Sequence, residues 1–136
     1  MATIEDGAVY ALHSDHLGSI TAVTDPDGYV TEYSDYYPYG DYRLNEQWGA
    51  LTEQRQYAGT ERDNVTSYDY MQNRYYRSAQ GQFLSQDPTH IAVGDGKQVE
   101  ALTGRSQESV LSDPQGLNSY AYARDNPVIN KDAEGL

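Results

Sequence analysis

Short runs of β-branched and aromatic residues alternate with polar positions, and turn-forming residues separate the runs. The run SITAVT at 19–24 precedes DPDG, in which Pro26 suits the second position of a turn and Gly28 closes it. The run YVTEYSDYY at 29–37 then resumes the β pattern. Residues 19–37 are therefore predicted to form a β-hairpin.

A second tyrosine-rich run lies further along the chain. TSYDYMQNRYY at 66–76 alternates at Tyr68 and Tyr70, and a loop RSAQGQ and a short strand at FLS follow it. This pattern predicts a second hairpin. Its Tyr-Asp-Tyr character is similar to that of the first hairpin and favours a degenerate β-repeat, although two weak copies are too few to establish one.

The segment 89–111 differs from its surroundings because it lacks tyrosine. Within it, GKQVEALTG is predicted to form one or two helical turns that end at Gly104. The segment 112–136 is rich in Asp-Pro and Asn-Pro, which favour turns. We therefore expect a single domain over 1–136, with hairpins at 1–88, an insertion at 89–111 and a turn-rich segment at 112–136.

The composition limits the kind of core that the chain can form and the classes of partner that it can bind. Tyrosine occurs 14 times and phenylalanine once in 136 residues, and 38% of the residues are hydrophobic. Each tyrosine ring packs on its faces and needs a partner for its hydroxyl, so we expect a tyrosine-faced sheet that leans on neighbouring sheet. The net charge of −12 argues against binding nucleic acid or anionic membranes.

Cysteine and targeting signals are also informative. The chain has no cysteine, which excludes disulfides, thiolate metal sites and cysteine nucleophiles. The start MATIEDGAVY lacks the basic and apolar regions of a signal peptide, and no apolar stretch is long enough to span a bilayer. We expect a segment that is not inserted into membranes and whose export is directed from elsewhere.

Five segments of the chain form an ordered set: YALHSDHLGSITAVTDPDGYV at 10–30, YAGTERD at 57–63, NRYY at 73–76, GQFLSQDP at 81–88 and NSYAYARDNPV at 118–128. In this order they resemble the Rhs repeat-associated core domain. That domain is the C-terminal end of the YD-repeat (Rhs) shell of polymorphic toxins and insecticidal toxin complexes. The resemblance spans most of the chain and is weakest at 41–54 and 89–111.

The resemblance implies a fold and a set of partners. The fold is mainly β, with antiparallel tyrosine-rich hairpins of a hollow YD-repeat shell, a turn-rich C-terminal plug and a short, partly helical insertion. The partners implied are the upstream repeats, a C-terminal toxin domain and other chains of the same shell. Such a protein is made in the bacterial cytoplasm and delivered to target cells within a larger effector.

The resemblance also implies self-cleavage of an aspartic-protease type, just after an Asp-Pro-x-Gly-Leu motif. Here the chain ends DAEGL, so Gly135 and Leu136 form the expected cleavage site, and the cut is expected after Leu136. An aspartic mechanism needs two carboxylates that share a proton. Asp132 occupies the motif position. Its partner is either Asp87, in FLSQDP, or Asp113, in DPQGL; Asp87 is slightly favoured because it directly follows a predicted strand.

Ala133 stands where the motif has proline, and this departure keeps a second function open. Proline fixes φ, so its loss loosens the turn that presents the bond to be cut. The alternative is a non-catalytic YD-repeat scaffold or a domain that binds proteins or glycans. Each Asp-Pro has its own structural alternative, a turn in which the carboxylate caps backbone amides.

The remaining candidate residues are structural. Arg62 and Arg74 are expected to pair with buried carboxylates and anchor the plug. The spacing of His13 and His16 around Asp15 is weak support for a metal site, because an extended segment separates the two rings. We expect neither a metal nor a cofactor.

Overall fold

The computed structural model describes residues 1–49, 51–132 and 134–135. Two antiparallel sheets and a small helical segment make up the molecule. The first sheet has five strands in chain order, β1 (Ala2–Glu5), β2 (Ala8–Ser14), β3 (Ile20–Thr24), β4 (Val30–Tyr36) and β5 (Tyr42–Gln47). The second has four, β6 (Glu61–Arg62), β7 (Asp69–Met71), β8 (Arg74–Arg77) and β9 (Gln82–Phe83).

The predicted hairpin at 19–37 is confirmed. β3 pairs with β4, and the turn between them is closed by the Gly28 amide, which donates to the Asp25 carbonyl at 3.0 Å. The second prediction is confirmed in part, because β8 pairs with β9 across the loop RSAQGQ. The run 66–76 differs from the prediction, since it forms two strands, β7 and β8, which pair with each other and place Met71 opposite Arg74. The pattern does not predict β1, β2 or β5. Every residue of β5 after the first is exposed, so β5 shows no alternation of buried hydrophobic and exposed polar residues.

The helical segment is larger than the sequence indicates. It contains α1 (Pro88–Ile91), α2 (Gly96–Thr103) and α3 (Gln107–Leu111). The predicted helix is α2, and it ends as expected at Gly104, whose φ of 67° is left-handed. The three helices enclose a small core of their own, made of Ala92, Val99 and Val110. None of the helices in the described part of the chain is long and apolar enough to cross a membrane.

Tyrosines form the main core, between the two sheets and the C-terminal segment. Tyr57, Tyr76 and Tyr122 are at most 2% exposed, and the rings of Tyr76 and Tyr122 have centroids 4.4 Å apart. The Tyr57 hydroxyl donates to the Pro38 carbonyl at 2.8 Å, and the Tyr76 hydroxyl donates to the Tyr39 carbonyl at the same distance. Burial raises the pKa of the Tyr76 hydroxyl, which keeps it a donor.

A buried ion pair ties this core together. Arg62 donates through Nε and Nη2 to the two carboxylate oxygens of Asp69, both at 2.8 Å, and Nη2 also donates to the Gly40 carbonyl at 2.8 Å. Asp69 is fully buried, and burial raises the pKa of its carboxyl while the Arg62 bonds act in the opposite direction. The pair therefore joins β6 and β7 to the loop after β4.

Arg62→Met should destabilise the fold by about 3–5 kcal/mol, because it leaves the Asp69 carboxylate buried without its cation. Urea unfolding of the chain with its upstream repeats measures the loss. The double variant Arg62→Met with Asp69→Leu should recover most of it. Arg43→Met is the matched control, because Arg43 pairs with Asp35 at the surface and its loss should change little. Equal effects of the two single variants would contradict the prediction.

Candidate functional site

Arg74 is the centre of the candidate site. It lies on β8, is 3% exposed and stacks on Phe83, with its guanidinium carbon 3.6 Å from the ring centroid. Its Nη2 lies 3.4 Å from Oδ2 of Asp87 and 3.4 Å from Oδ2 of Asp132. Burial lowers the pKa of Arg74, and the two carboxylates act in the opposite direction. Two aspartates 45 positions apart therefore meet at one nitrogen.

Backbone amides fix the second oxygen of each aspartate. Asp87 is the N-cap of α1, and its Oδ1 accepts from the Thr89 amide at 2.7 Å. Asp132 Oδ1 accepts from the Gly135 amide at 2.8 Å. Both carboxylates thus adopt the capping role that is usual for aspartates at turns, and each keeps its other oxygen directed at Arg74.

The C-terminal residues are held against β8 by a terminal clamp, which we define as Asn73, Arg74, Asp132 and Gly135. Arg74 Nε donates to the Gly135 carbonyl at 2.9 Å, and Asn73 Nδ2 donates to the Glu134 carbonyl at 2.8 Å. Gly135 is buried and has a φ of 68°, a backbone angle that residues with a side chain rarely adopt. Of the expected cleavage positions, Gly135 is in the clamp. Leu136 lies outside the described residues, as does Ala133.

A polar cavity of about 300 Å³ opens beside the clamp. It is lined by Arg74, Asp87 and Asp132, together with Arg124 and Lys131. The cavity therefore offers both cations and carboxylates next to the end of the chain. A pair of carboxylates in such a place can exchange protons with a bound peptide group.

Asp113 lies apart from this group. Within the described residues its ion pairs are with Arg124, at 2.7 Å, and with Arg105, at 3.7 Å. It lines a second cavity of about 180 Å³, which borders the first because Asp87, Gly116 and Arg124 line both. Of the two candidate partners, Asp87 is the one that the structure brings to Asp132. Arg62 is also remote from the site, in the core ion pair.

Two parts of the site have no clear signal in the sequence. The Ser119 carbonyl accepts from Arg74 Nη1 at 2.8 Å, a backbone role that no residue type indicates. Ala123, Arg124 and Asp125 form a short turn with φ values of 49°, 57° and 56°. Three successive non-glycine residues in the left-handed region are strained, and two of them line the first cavity.

The histidines of HSDH make separate contacts. His13 Nε2 lies 3.2 Å from Thr24 Oγ1, and His16 Nε2 lies 2.8 Å from the Val128 carbonyl. Asp15 Oδ1 accepts from the amides of Leu17 and Ser19, which closes the loop. Over the described ranges, no three His, Cys, Asp or Glu side chains cluster in a way that could hold a metal ion.

The chain is similar to short segments of much longer bacterial proteins. No family model matches it. The tRNA3(Ser)-specific nuclease WapA of Bacillus spizizenii is 30% identical over 132 residues, which are 96% of this chain and 5% of that protein. The toxin subunit YenC1 of Yersinia entomophaga is 28% identical over 123 residues, 88% of this chain and 10% of that protein. The crystal structure of TcdB2-TccC3 superposes with a TM-score of 0.73 and 29% identity, covering 98% of this chain and 5% of the other.

These similarities, together with the antiparallel tyrosine-rich sheets, define a class of protein, the toxin shells built from YD repeats. The chain belongs to the Rhs family and corresponds to the C-terminal core region of such a shell. It spans about a twentieth to a tenth of the length of these relatives. The mainly antiparallel β fold implied by the resemblance is confirmed.

Gly135→Ala should displace the C-terminal residues from the clamp. A β-carbon at position 135 would lie 2.5 Å from the Met71 carbonyl oxygen, in addition to the left-handed φ. Gly28→Ala is the matched control, because its φ is 87° and nothing lies within 4 Å of its β-carbon. We expect a loss of about 1–2 kcal/mol for Gly28→Ala and about 1–3 kcal/mol more for Gly135→Ala.

Unfolding measurements and limited proteolysis of residues 130–136 test this difference. Gly135→Ala should release these residues to protease at concentrations that leave Gly28→Ala intact. If both variants lose the same stability and resist protease equally, the close contact with Met71 does not hold the end of the chain.

Proposed function

We propose that the chain completes an Rhs shell and that Asp132 and Asp87 cut the polypeptide after Leu136, which releases a following toxin. The relatives support the setting. WapA is a nuclease, YenC1 is a toxin subunit, and TccC3 has been crystallised without a hypervariable C-terminal region. In this proposal a variable toxin follows a constant core, and the core provides the cleavage.

The observation that carries the proposal is the meeting of three groups at Arg74. Its Nη2 reaches both Asp87 and Asp132, and its Nε binds the carbonyl of Gly135. The carbonyl expected to be attacked belongs to the next residue, Leu136. A peptide bond held within the same fold as its carboxylates needs no encounter step, which can supply much of the rate.

The position of Arg74 sets a condition on the chemistry. An aspartic mechanism needs one protonated carboxyl group, and Nη2 of Arg74 lies 3.4 Å from an oxygen of each aspartate. Cleavage therefore requires Asp132 to take up a proton and its Oδ2 to leave Nη2. The bonds from Nε to Gly135 and from Nη1 to Ser119 keep Arg74 in place during this change.

The upstream repeats are the first partner in this proposal. In the described part of the chain, β1 pairs with β2 alone, so its other edge is open to a further strand. An open strand edge leaves backbone N–H and C=O groups without strand partners, and a strand of a neighbouring repeat would pair with them. The toxin domain follows Leu136, and the whole protein is made in the bacterial cytoplasm and delivered to target cells.

Closure without cleavage is the second candidate function. It is favoured by the same Arg74, because its two ion pairs and its two hydrogen bonds to carbonyls make it a stable support for the C-terminal residues without any reaction. Ala133 in place of proline favours it as well. In this case the core would end the shell as a plug and leave the toxin attached.

The test is a fusion of the upstream shell, this chain and a reporter directly after Leu136, examined by intact mass. The wild type should separate from the reporter. Asp132→Asn and Asp87→Asn should slow the cut by about 10²–10⁴-fold or abolish it, since each removes an acid or base. Asp113→Asn is the matched control and should cut like the wild type.

Melting temperatures of all three variants show whether a loss of cleavage is a loss of fold. An uncut wild type would leave the plug as the function. If Asp113→Asn were uncut and Asp87→Asn were cut, the partner of Asp132 would be Asp113, and the assignment of Asp87 would be wrong.

A further inference from the structure

The second sheet carries a row of exposed side chains on the face that points away from the core. Alternation along β6, β7 and β8 leaves Glu61, Tyr70 and Tyr75 exposed, while their neighbours along each strand are buried. The register sets Glu61 opposite Tyr70 and Tyr70 opposite Tyr75, so the three residues form one row across three strands. The two tyrosine rings have centroids 5.3 Å apart and are about half exposed. Such a cross-strand pair stabilises the sheet, and it also presents two aromatic rings beside a carboxylate to solvent.

A neighbouring tyrosine of this sheet already binds a cation. The guanidinium carbon of Arg77 lies 5.0 Å from the centroid of the Tyr68 ring, and Arg77 Nη2 donates to the Tyr68 hydroxyl. The π electrons of an aromatic ring attract a positive charge placed over its face. Within the described residues, no guanidinium lies over Tyr70 or Tyr75, and the Glu61 carboxylate forms no hydrogen bond or ion pair. The row therefore offers a carboxylate and two ring faces that the described chain does not use to bind charge.

The cations of the chain are engaged elsewhere. Each arginine donates to a carboxylate, a carbonyl or a hydroxyl, which holds for Arg43, Arg55, Arg62, Arg74, Arg77, Arg105 and Arg124. Arg55, whose backbone bridges to Glu61, directs its guanidinium to Glu53. Lys97 lies at the start of α2 and Lys131 beside the first cavity. With 21 acidic and 9 basic residues in the chain, a cation for this row has to come from a partner.

The space over the row is an elongated groove. A cavity of about 470 Å³ is lined by Glu61, Tyr70 and Tyr75 together with neighbouring polar residues. A second space of about 290 Å³ is also lined by Glu61 and Tyr70, and it continues past Thr60 and Gln72. We call the joined space the tyrosine groove and define it by Glu61, Tyr70 and Tyr75. Its length suits an extended peptide better than a single small ion, because the hydroxyl and amide groups beyond Tyr70 can bind peptide groups.

We propose that the tyrosine groove binds a basic segment of another polypeptide, with an arginine side chain over Tyr70 and Tyr75 and its charge paired with Glu61. A guanidinium fits because it is planar, stacks on aromatic rings and binds a carboxylate through two N–H groups. Arg77 on Tyr68 is the same kind of contact within the chain. The net charge of −12 attracts a basic partner at longer range. This binding is independent of self-cleavage at the clamp.

The test is a binding measurement on the chain with its upstream repeats, by fluorescence anisotropy of a labelled peptide, Gly-Ser-Arg-Ser-Arg-Gly. The same peptide with citrulline in place of arginine keeps the shape of the side chain and removes its charge. We expect the arginine peptide to bind about 10-fold more tightly, because it gains a cation–π contact and an ion pair. Glu61→Gln and Tyr70→Leu should each weaken its binding by about 5-fold.

The matched control variants lie on the other sheet. Tyr33 is exposed on β4 and lies opposite the exposed Glu46 of β5, so the two residues form an acid–tyrosine pair without a second ring. Tyr33→Leu and Glu46→Gln should bind the arginine peptide like the wild type. Glu61→Gln should also keep the melting temperature of the wild type, because Glu61 is exposed and supports no packing. A weaker binding of this variant is therefore a loss of charge recognition and not a loss of fold.

Three results would overturn the inference. Equal affinities for the arginine and citrulline peptides would mean that the groove does not recognise a cation. Equal losses in the groove variants and the control variants would mean that the peptide responds only to the net negative charge of the surface. If free arginine amide binds as tightly as the peptide, the groove is a site for small cations and does not dock a polypeptide. An uncut shell–reporter fusion would leave this inference unaffected.

Discussion

The ion pairs and hydrogen bonds of the Arg74 guanidinium hold the C-terminal half of the chain in its arrangement. The guanidinium has five N–H donors in a rigid plane, and through three nitrogens it reaches the start of α1 at Asp87, the turn at Ser119, and Asp132 and Gly135 at the end of the described chain. These partners are 13, 45, 58 and 61 positions away in sequence. Arg74 thus brings both aspartates to one nitrogen.

The tyrosine core explains how a chain of low hydrophobicity forms this support. Rings of Tyr57, Tyr76 and Tyr122 fill the space between the sheets and the C-terminal segment, and neighbouring carbonyls accept hydrogen bonds from two of the hydroxyls. Arg74 extends this core, because its guanidinium stacks on Phe83, which itself packs against Tyr76 and Tyr122. The hydrophobic core and the charged site are thus continuous, and the core fixes the plane of the cation.

Local patterns predicted the parts of the fold that local chemistry determines. The hairpin at 19–37, the pairing of β8 with β9, and the helix that ends at Gly104 follow from alternation and turn residues, whereas the turn that splits the run 66–76 into β7 and β8 was not predicted. β5 carries no alternation because it is exposed, and α1 and α3 are too short for a periodic signal. For the site, the resemblance indicated Asp132 and two candidate partners. The choice between them depends on Arg74, whose contacts span distances in sequence that no local pattern encodes. The backbone role of Ser119 and the strained turn at 123–125 have no residue signature at all.

Asn73 and Arg74 are synthesised well before Asp132 and Gly135, so the clamp forms only after a delay. Arg74 and Gly135 are 61 positions apart, and a ribosome adds roughly 5–20 residues per second, so several seconds separate their synthesis. During that interval β8 and the tyrosine rings can pack, but the cation has only the earlier of its two carboxylates. The second arrives only with the last residues before Leu136. Assembly of the clamp is therefore a late event in the synthesis of this chain.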